Sequence, residues 1–221
     1  MKRYGHLYEK IYDKENIKKA ILRASKGKRK RKSVQKVLRD IDRFTEEIHK
    51  MLKEKTYVPA PYKESVIREG IKQKKRIIYK PNFYPDQIIQ WAIVLQIGNI
   101  IESGLYEMVC GSIKKKGSHY GKKRVEKWVR TDRKNTKHYL KLDIHHFYPS
   151  VNIEILIGKL ERKFKDKDLM ELIKTILSLK NELPIGILLS QWFANFYLRE
   201  IDFFIKQNCK VKYYIRYMDD M

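Results

Sequence analysis

Tyr214-Ile215-Arg216-Tyr217-Met218-Asp219-Asp220-Met221 closes the chain, an apolar and aromatic run leading straight into two adjacent carboxylates. Charge at the end of a strand is costly unless a cation answers it. Mg²⁺ suits that place, because it prefers hard carboxylate oxygens and keeps positions open for phosphate. The same dipeptide also reads as a polar turn after a strand, Asp being a common turn residue. The motifs around it bear on the choice.

Working back along the chain, Tyr139-Leu140-Lys141-Leu142-Asp143-Ile144 reads as a strand with Asp143 at or near its end, and Phe147-Tyr148-Pro149-Ser150 then turn the chain. A lone Asp after a strand is usually a turn or a cap. If it converges with Asp219 and Asp220, the three carboxylates hold two metals, one activating a primer 3′-hydroxyl and the other stabilising the departing pyrophosphate. In such in-line nucleotidyl transfer, positioning and charge neutralisation dominate, and no side-chain nucleophile is needed. The chain has no convincing Ser-His-Asp or Cys-His arrangement, which agrees.

Between these carboxylates, residues 153–164 and 169–179 carry helical periodicity. Leu183-Pro184-Ile185-Gly186-Ile187-Leu188-Leu189-Ser190-Gln191 is an apolar turn leading into Trp192, Phe193, Phe196, Tyr197, Ile201 and Phe204, spaced as a broadly buried helix. By itself that is a core helix with a Ser or Gln near its start. The strand 211–217 follows.

Further upstream, two prolines keep Tyr57-Val58-Pro59-Ala60-Pro61-Tyr62 out of helix. Ser65–Arg68 and Arg76–Tyr79 read as two strands of a hairpin with a cationic tip at Gly70 and Lys72-Gln73-Lys74-Lys75. Such a hairpin is either a protected edge or a lid whose arginine fork grips a triphosphate. Asp86 reads as the cap of an apolar core helix beginning near Ile88. A glycine-punctuated basic loop, residues 110–121, precedes a helix through Trp128 and lacks Walker spacing.

Residues 1–55 read as basic helices with apolar stripes at Ile17, Ile21 and Leu22 and at Val34, Val37, Leu38, Ile41 and Phe44. Between them lies Lys26-Gly27-Lys28-Arg29-Lys30-Arg31-Lys32, either a solvated loop or a phosphate contact. Over 221 residues, 50 Lys and Arg face 26 Asp and Glu, a net charge of +24 that calls for a polyanion, most simply nucleic acid. Membrane lipid is the weaker candidate, because the longest apolar stretch, 88–97, is broken by Gln90 and Gln96 and is too short to span a bilayer. No secretion signal is evident, and Cys110 and Cys209 lack metal-ligand spacing. The expectation is a cytoplasmic protein with reduced thiols.

In this order the motifs resemble those of reverse transcriptases of the bacterial group II intron-like and diversity-generating-retroelement-like kind. Tyr217-Met218-Asp219-Asp220 is similar to the family's Tyr-x-Asp-Asp motif, and Lys141 to Tyr148 resembles the strand that bears its first catalytic Asp. Pro184-Ile185-Gly186 with Ser190-Gln191 resembles the motif supporting template and incoming nucleotide, and Lys75-Arg76-Ile77-Ile78 resembles the stretch with the fingers arginine. The resemblance covers about residues 56–221.

The resemblance implies a set of roles. Asp143 and Asp219 bind both Mg²⁺ ions, with Mn²⁺ as a substitute, and Asp220 completes the cluster. Arg76 binds the triphosphate, helped by Arg68 or Lys74. Tyr148 is the aromatic gate against a ribose 2′-hydroxyl, its plainer reading being a core aromatic. Ile185, Gly186, Ser190 and Gln191 shape the nucleotide and template pocket. Ile185 stands where many retroviral members have Gln, from which lower fidelity is expected; Ser190-Gln191 in place of retroviral Ser-Pro fits bacterial members.

The implied fold is α+β: right-hand polymerase fingers and palm, an antiparallel palm sheet backed by helices, with the thumb absent. The expected division is a basic helical region at 1–55, fingers with the hairpin and basic loop at 56–135, and an incomplete palm at 136–221. The implied function is RNA-directed DNA polymerase, with an RNA template, a DNA or RNA primer and dNTPs as partners. A structured non-coding RNA or an accessory protein would be a further partner. An end at Met221 reads as an N-terminal fragment of weak or no activity. The alternatives are an antiphage relative making untemplated DNA and a non-catalytic RNA-binding fragment.

Overall fold

The computed structural model describes residues 2–69 and 74–221. Four helices open the chain: α1 (Tyr8–Tyr12), α2 (Lys14–Ser25), α3 (Lys32–Arg39) and α4 (Ile41–Lys53). Asp13 and Asp40 start α2 and α4 by accepting the amides of Asn16 and Arg43, which removes an orphan donor from each first turn. Ile17, Ile21, Val34, Val37, Phe44 and Ile48 are buried, with α2, α3 and α4 packed against one another.

A hairpin follows, β1 (Lys63–Glu69) and β2 (Lys74–Lys80), antiparallel with Ile67 opposite Arg76 and Arg68 opposite Lys75. This agrees with the expected pair of strands. The cationic tip, residues 70–73, lies outside the described residues, as does the side chain of Lys74.

Next come α5 (Ile88–Glu102), β3 (Val109–Cys110) and α6 (Ser118–Thr131). Helix α5 is apolar on most of its sides, so it sits in the middle of the fold, with α1, α2 and the later α10 packed against it. Asp86 does not cap it. The carboxylate is buried and its Oδ1 accepts from the Tyr57 hydroxyl at 2.8 Å and the Ala60 amide at 3.4 Å, pinning the proline-containing 57–62 segment instead.

The last part comprises α7 (Phe147–Ser150), α8 (Ile153–Lys163), α9 (Lys167–Leu177), α10 (Leu188–Tyr197), α11 (Arg199–Gln207) and β4 (Arg216–Tyr217). Asn152 and Asp166 cap α8 and α9. The helix expected across 192–204 is two helices, broken at Leu198. One hydrophobic cluster, running from Leu7 to Leu198, takes residues from all three stretches of the chain.

The strands differ from expectation. Among the described residues there is no multi-stranded antiparallel palm sheet. Strand β4 pairs with β3 in parallel over two residues, and Asp143 makes a single antiparallel bridge with Asp220. Among the described residues, Leu142 alone of 139–142 makes a backbone pairing, and Tyr139 and Leu140 stand 92% and 77% exposed, so no ladder forms along them. Within 211–217 the carbonyls of Val211 and Lys212 are taken by the Lys206 ammonium, at 2.6 and 3.0 Å, which supplies locally the bonds a longer strand would make. Among the described residues no helix is long and apolar enough to cross a membrane.

Candidate active site

The Tyr217–Asp220 stretch is a tight turn. The Tyr217 amide donates to the Asp220 carbonyl at 2.8 Å and the Asp220 amide returns to the Tyr217 carbonyl at 3.1 Å. Met218 and Asp219 form the two-residue loop, with Met218 left-handed at φ +57°. The turn is stitched to two other segments. On one side the Met218 amide donates to the Cys110 carbonyl at 3.2 Å; on the other, Leu142 and Met221 exchange amide–carbonyl bonds of 2.9 Å. The second pair sets Asp143 directly across from Asp220.

The three carboxylates therefore share one corner of the fold. Burial, together with the nearby charges of Asp143 and Asp220, pushes the Asp219 carboxyl up, while Arg76 pulls it the other way. Asp220 also pairs with the Lys141 ammonium at 3.2 Å. Among the described residues, no three His, Cys, Asp or Glu side chains are grouped closely enough to cage a metal ion by themselves. The donor set still fits a hard divalent cation. It consists of carboxylate oxygens, the donor type such a cation takes, and their mutual repulsion is what a cation would relieve.

Two further expected residues reach this corner. Arg76 is exposed on β2 and its charge acts on Asp219. Tyr148, on the short α7, is half-buried; burial and then the Asp219 charge push its hydroxyl up to about 12, so it stays neutral. Helix α7 is entered through a left-handed His146, at φ +49°, which swings the chain sharply after Asp143.

The Pro184-to-Gln191 segment lies against the hairpin. The Ile185 carbonyl accepts the Tyr79 amide at 2.8 Å. Gly186 has φ +97°, and a Cβ there would stand 2.5 Å from Ile78 Cγ2 and 2.7 Å from the Tyr79 carbonyl oxygen, so only glycine fits. Gln191 is exposed and its Oε1 accepts from the Ser112 hydroxyl at 3.2 Å. Gly186 and Gln191 line an open groove of about 960 Å³ together with Lys28, Arg31, Lys36 and Arg43.

Two expected residues do not join the site. Ser190 is 2% exposed, inside α10, and does not line the groove. Arg68 stands opposite Lys75, and alternation along the strands puts it on the other face of the hairpin from Arg76. Conversely, Asn195, Asp202 and Arg216 gather behind the turn as a buried polar cluster. The signal in the sequence was an arginine between Ile215 and Tyr217 and an aspartate between Ile201 and Phe203.

A tight turn and a single bridge thus bring three carboxylates together as the candidate site. A family model described as "Reverse transcriptase (RNA-dependent DNA polymerase)" matches residues 61–221, and the chain belongs to that family. It is 28% identical over 181 residues to the group II intron-encoded protein LtrA of Lactococcus lactis subsp. cremoris, and equally so to the LtrA of strain MG1363 of that organism. The match covers 75% of this chain and 29% of LtrA, so the chain spans under a third of the relatives' length.

Proposed function

We propose that this chain carries the nucleotidyl-transfer centre of an RNA-directed DNA polymerase, extending a DNA or RNA primer with dNTPs along an RNA template. The observation that carries the reading is the bridge between Asp143 and Asp220, which brings a second carboxylate-bearing segment to the Asp219 turn. Arg76 and Tyr148 act electrostatically on, or feel, the same carboxylate.

In this reading Asp143 and Asp219 hold divalent cations, Mg²⁺ or in its place Mn²⁺. When bound, two such ions activate the primer hydroxyl and neutralise charge on the leaving pyrophosphate. Asp220 completes the carboxylate set and is screened by Lys141. The Arg76 guanidinium orients the triphosphate through its planar fork. The Tyr148 ring limits space at the sugar, and its neutral hydroxyl adds no charge beside Asp219. Gly186 and Gln191 line the template groove, and Lys28, Arg31, Lys36 and Arg43 supply its phosphate contacts.

The test is primer extension on a defined RNA template, with sequencing of the product. Mg²⁺-dependent, templated DNA that disappears in Asp143→Ala and Asp219→Ala supports the reading. Untemplated product would favour DNA synthesis without an ordinary template. Salt-sensitive RNA binding without synthesis in wild type and variants alike would reduce the chain to an RNA-binding unit.

A further inference from the structure

Directly behind the Met218–Asp219 turn lies a charge pair that neither substrate nor cation would touch. Arg216 and Asp202 are both 0% exposed. They form a bidentate pair, Nε to Oδ1 and Nη2 to Oδ2, each at 2.7 Å. The Tyr214 hydroxyl donates to the same Oδ1 at 2.7 Å. The other edge of the guanidinium points at the turn, with Nη1 donating to Asn195 Oδ1 at 2.9 Å and to the Met218 carbonyl at 2.7 Å. Asn195 passes the connection on, its Nδ2 donating to the Gly111 carbonyl at 3.1 Å.

Stability alone is a poor account of this pair. Burying two ions costs several kcal/mol each, and well-packed apolar residues often hold a fold equally well. What an apolar pair lacks is a rigid donor aimed at the Met218 carbonyl. That carbonyl belongs to the peptide leading into Asp219. On its other side Met218 is held by its amide bond to Cys110, and its left-handed φ of +57° is a conformation that non-glycine residues adopt at a cost. Gly111, also left-handed at φ +84°, leaves the space that Met218 fills: a Cβ there would lie 3.1 Å from Met218 Cγ and Sδ. The turn is thus held at both peptides of Met218, and Arg216 supplies the bond to the one that leads into Asp219.

We propose that Arg216, oriented by Asp202 and Asn195, is a positioning residue that holds the Asp219 carboxylate in register with Asp143. The proposal rests on the nucleotidyl-transfer reading of those carboxylates. It predicts a defect in cation affinity and in turnover rather than in nucleotide binding, because the pair is fully buried and its one bond to the turn is to the Met218 carbonyl.

Two variants separate positioning from folding. Arg216→Lys keeps the charge against Asp202 but cannot reach Asp202, Asn195 and the Met218 carbonyl together. Asp202→Asn combined with Arg216→Met removes both buried charges, keeps an acceptor for Tyr214, and leaves no donor for Met218. Each is measured for thermal melting, for Mn²⁺ binding by electron paramagnetic resonance, and for kcat and KM in primer extension.

The expected result is folded proteins in which Mn²⁺ binds at least about 5-fold more weakly and kcat falls about 10- to 100-fold, with KM for dNTP within about 2-fold of wild type. Wild-type Mn²⁺ affinity and kcat in either folded variant would overturn the proposal, as would a defect confined to KM. A wild-type chain that does not bind Mn²⁺ removes the nucleotidyl-transfer reading and this one with it; in a chain that binds Mn²⁺ without extending a primer, the Mn²⁺ affinities of the variants decide this one alone. Wild-type activity with unaffected variants removes only this one.

Discussion

The Tyr79 amide donates to the Ile185 carbonyl at 2.8 Å, joining the inner strand of the hairpin to the turn that precedes α10. This single bond connects two motifs that are far apart in the chain. It places Arg76, three residues before Tyr79 on β2, on a strand anchored to the same body as the carboxylates, and it brings Gly186 against the strand.

Gly186→Ala is expected to break this seam. The new methyl would meet both Ile78 Cγ2 and the Tyr79 carbonyl oxygen at an unfavourable φ, and one of those neighbours is backbone. Left-handed strain and overpacking together cost roughly 2–4 kcal/mol. Urea denaturation should show that loss, and an unchanged midpoint would mean that the hairpin does not rest on Gly186.

Asp219→Asn should separate activity from stability. Burial and the charges of Asp143 and Asp220 raise the folded-state pKa of this carboxyl above its unfolded value. A raised carboxylate favours the folded state most below the unfolded pKa, about 3.9, and works against it as pH rises through the folded value. In metal-free buffer at neutral pH the Asn variant should therefore melt at or above the wild-type temperature while its primer extension is lost. A clear fall in metal-free melting temperature would contradict this.

Tyr148→Val is expected to relax sugar selection. The ring stays uncharged at working pH and contributes shape, so its removal opens room for a 2′-hydroxyl. Competition between ribo- and deoxyribonucleotides should shift by about 10-fold or more, in line with the ~1–3 kcal/mol a shape-based pocket contact supplies. Unchanged discrimination would return Tyr148 to the role of a core aromatic.

Asp132 links the end of α6 to the approach to β4. Its carboxylate accepts from Lys212 at 2.6 Å, from Asn135 at 3.0 Å and from the Tyr213 hydroxyl at 2.8 Å, which together hold its pKa well below the usual carboxylate range. A depressed carboxylate contributes stability that is fully present above its unfolded pKa of about 3.9 and is lost as pH falls through the folded value. Asp132→Asn should melt below wild type at pH 7, with the gap narrowing as the solution is acidified below about pH 4. A pH-independent gap would assign the loss to packing around Tyr213 and Trp128, whose rings lie 5.3 Å apart.

Much of the helical framework was legible because its signals are local. Apolar spacing marks α2, α4, α5, α8 and α9, and Asp13, Asp40, Asn152 and Asp166 cap their helices with their own side chains. The hairpin was legible from two β-prone runs around a basic turn. The strands at 139–144 and 211–217 were not. Strand propensity describes a residue fitted to a pleated surface, and pairing partners decide whether the surface exists. Here Leu142 finds only Met221, and the carbonyls of Val211 and Lys212 turn to Lys206.

The candidate site divides along the same line. The sequence by itself determined the ingredients: adjacent carboxylates after an apolar and aromatic run, a third carboxylate after another such run, an arginine on a hairpin and a glycine in an apolar turn. Those are properties of neighbouring residues, set by covalent geometry and short-range hydrogen bonding. Only the tertiary structure decided which ingredients meet. It set Asp143 across from Asp220, turned Asp220 to Lys141, put Arg68 on the far face from Arg76, buried Ser190, and assembled Asp202, Asn195 and Arg216 behind the turn. Such contacts join residues distant in the chain, so they depend on how the whole core packs rather than on any local preference.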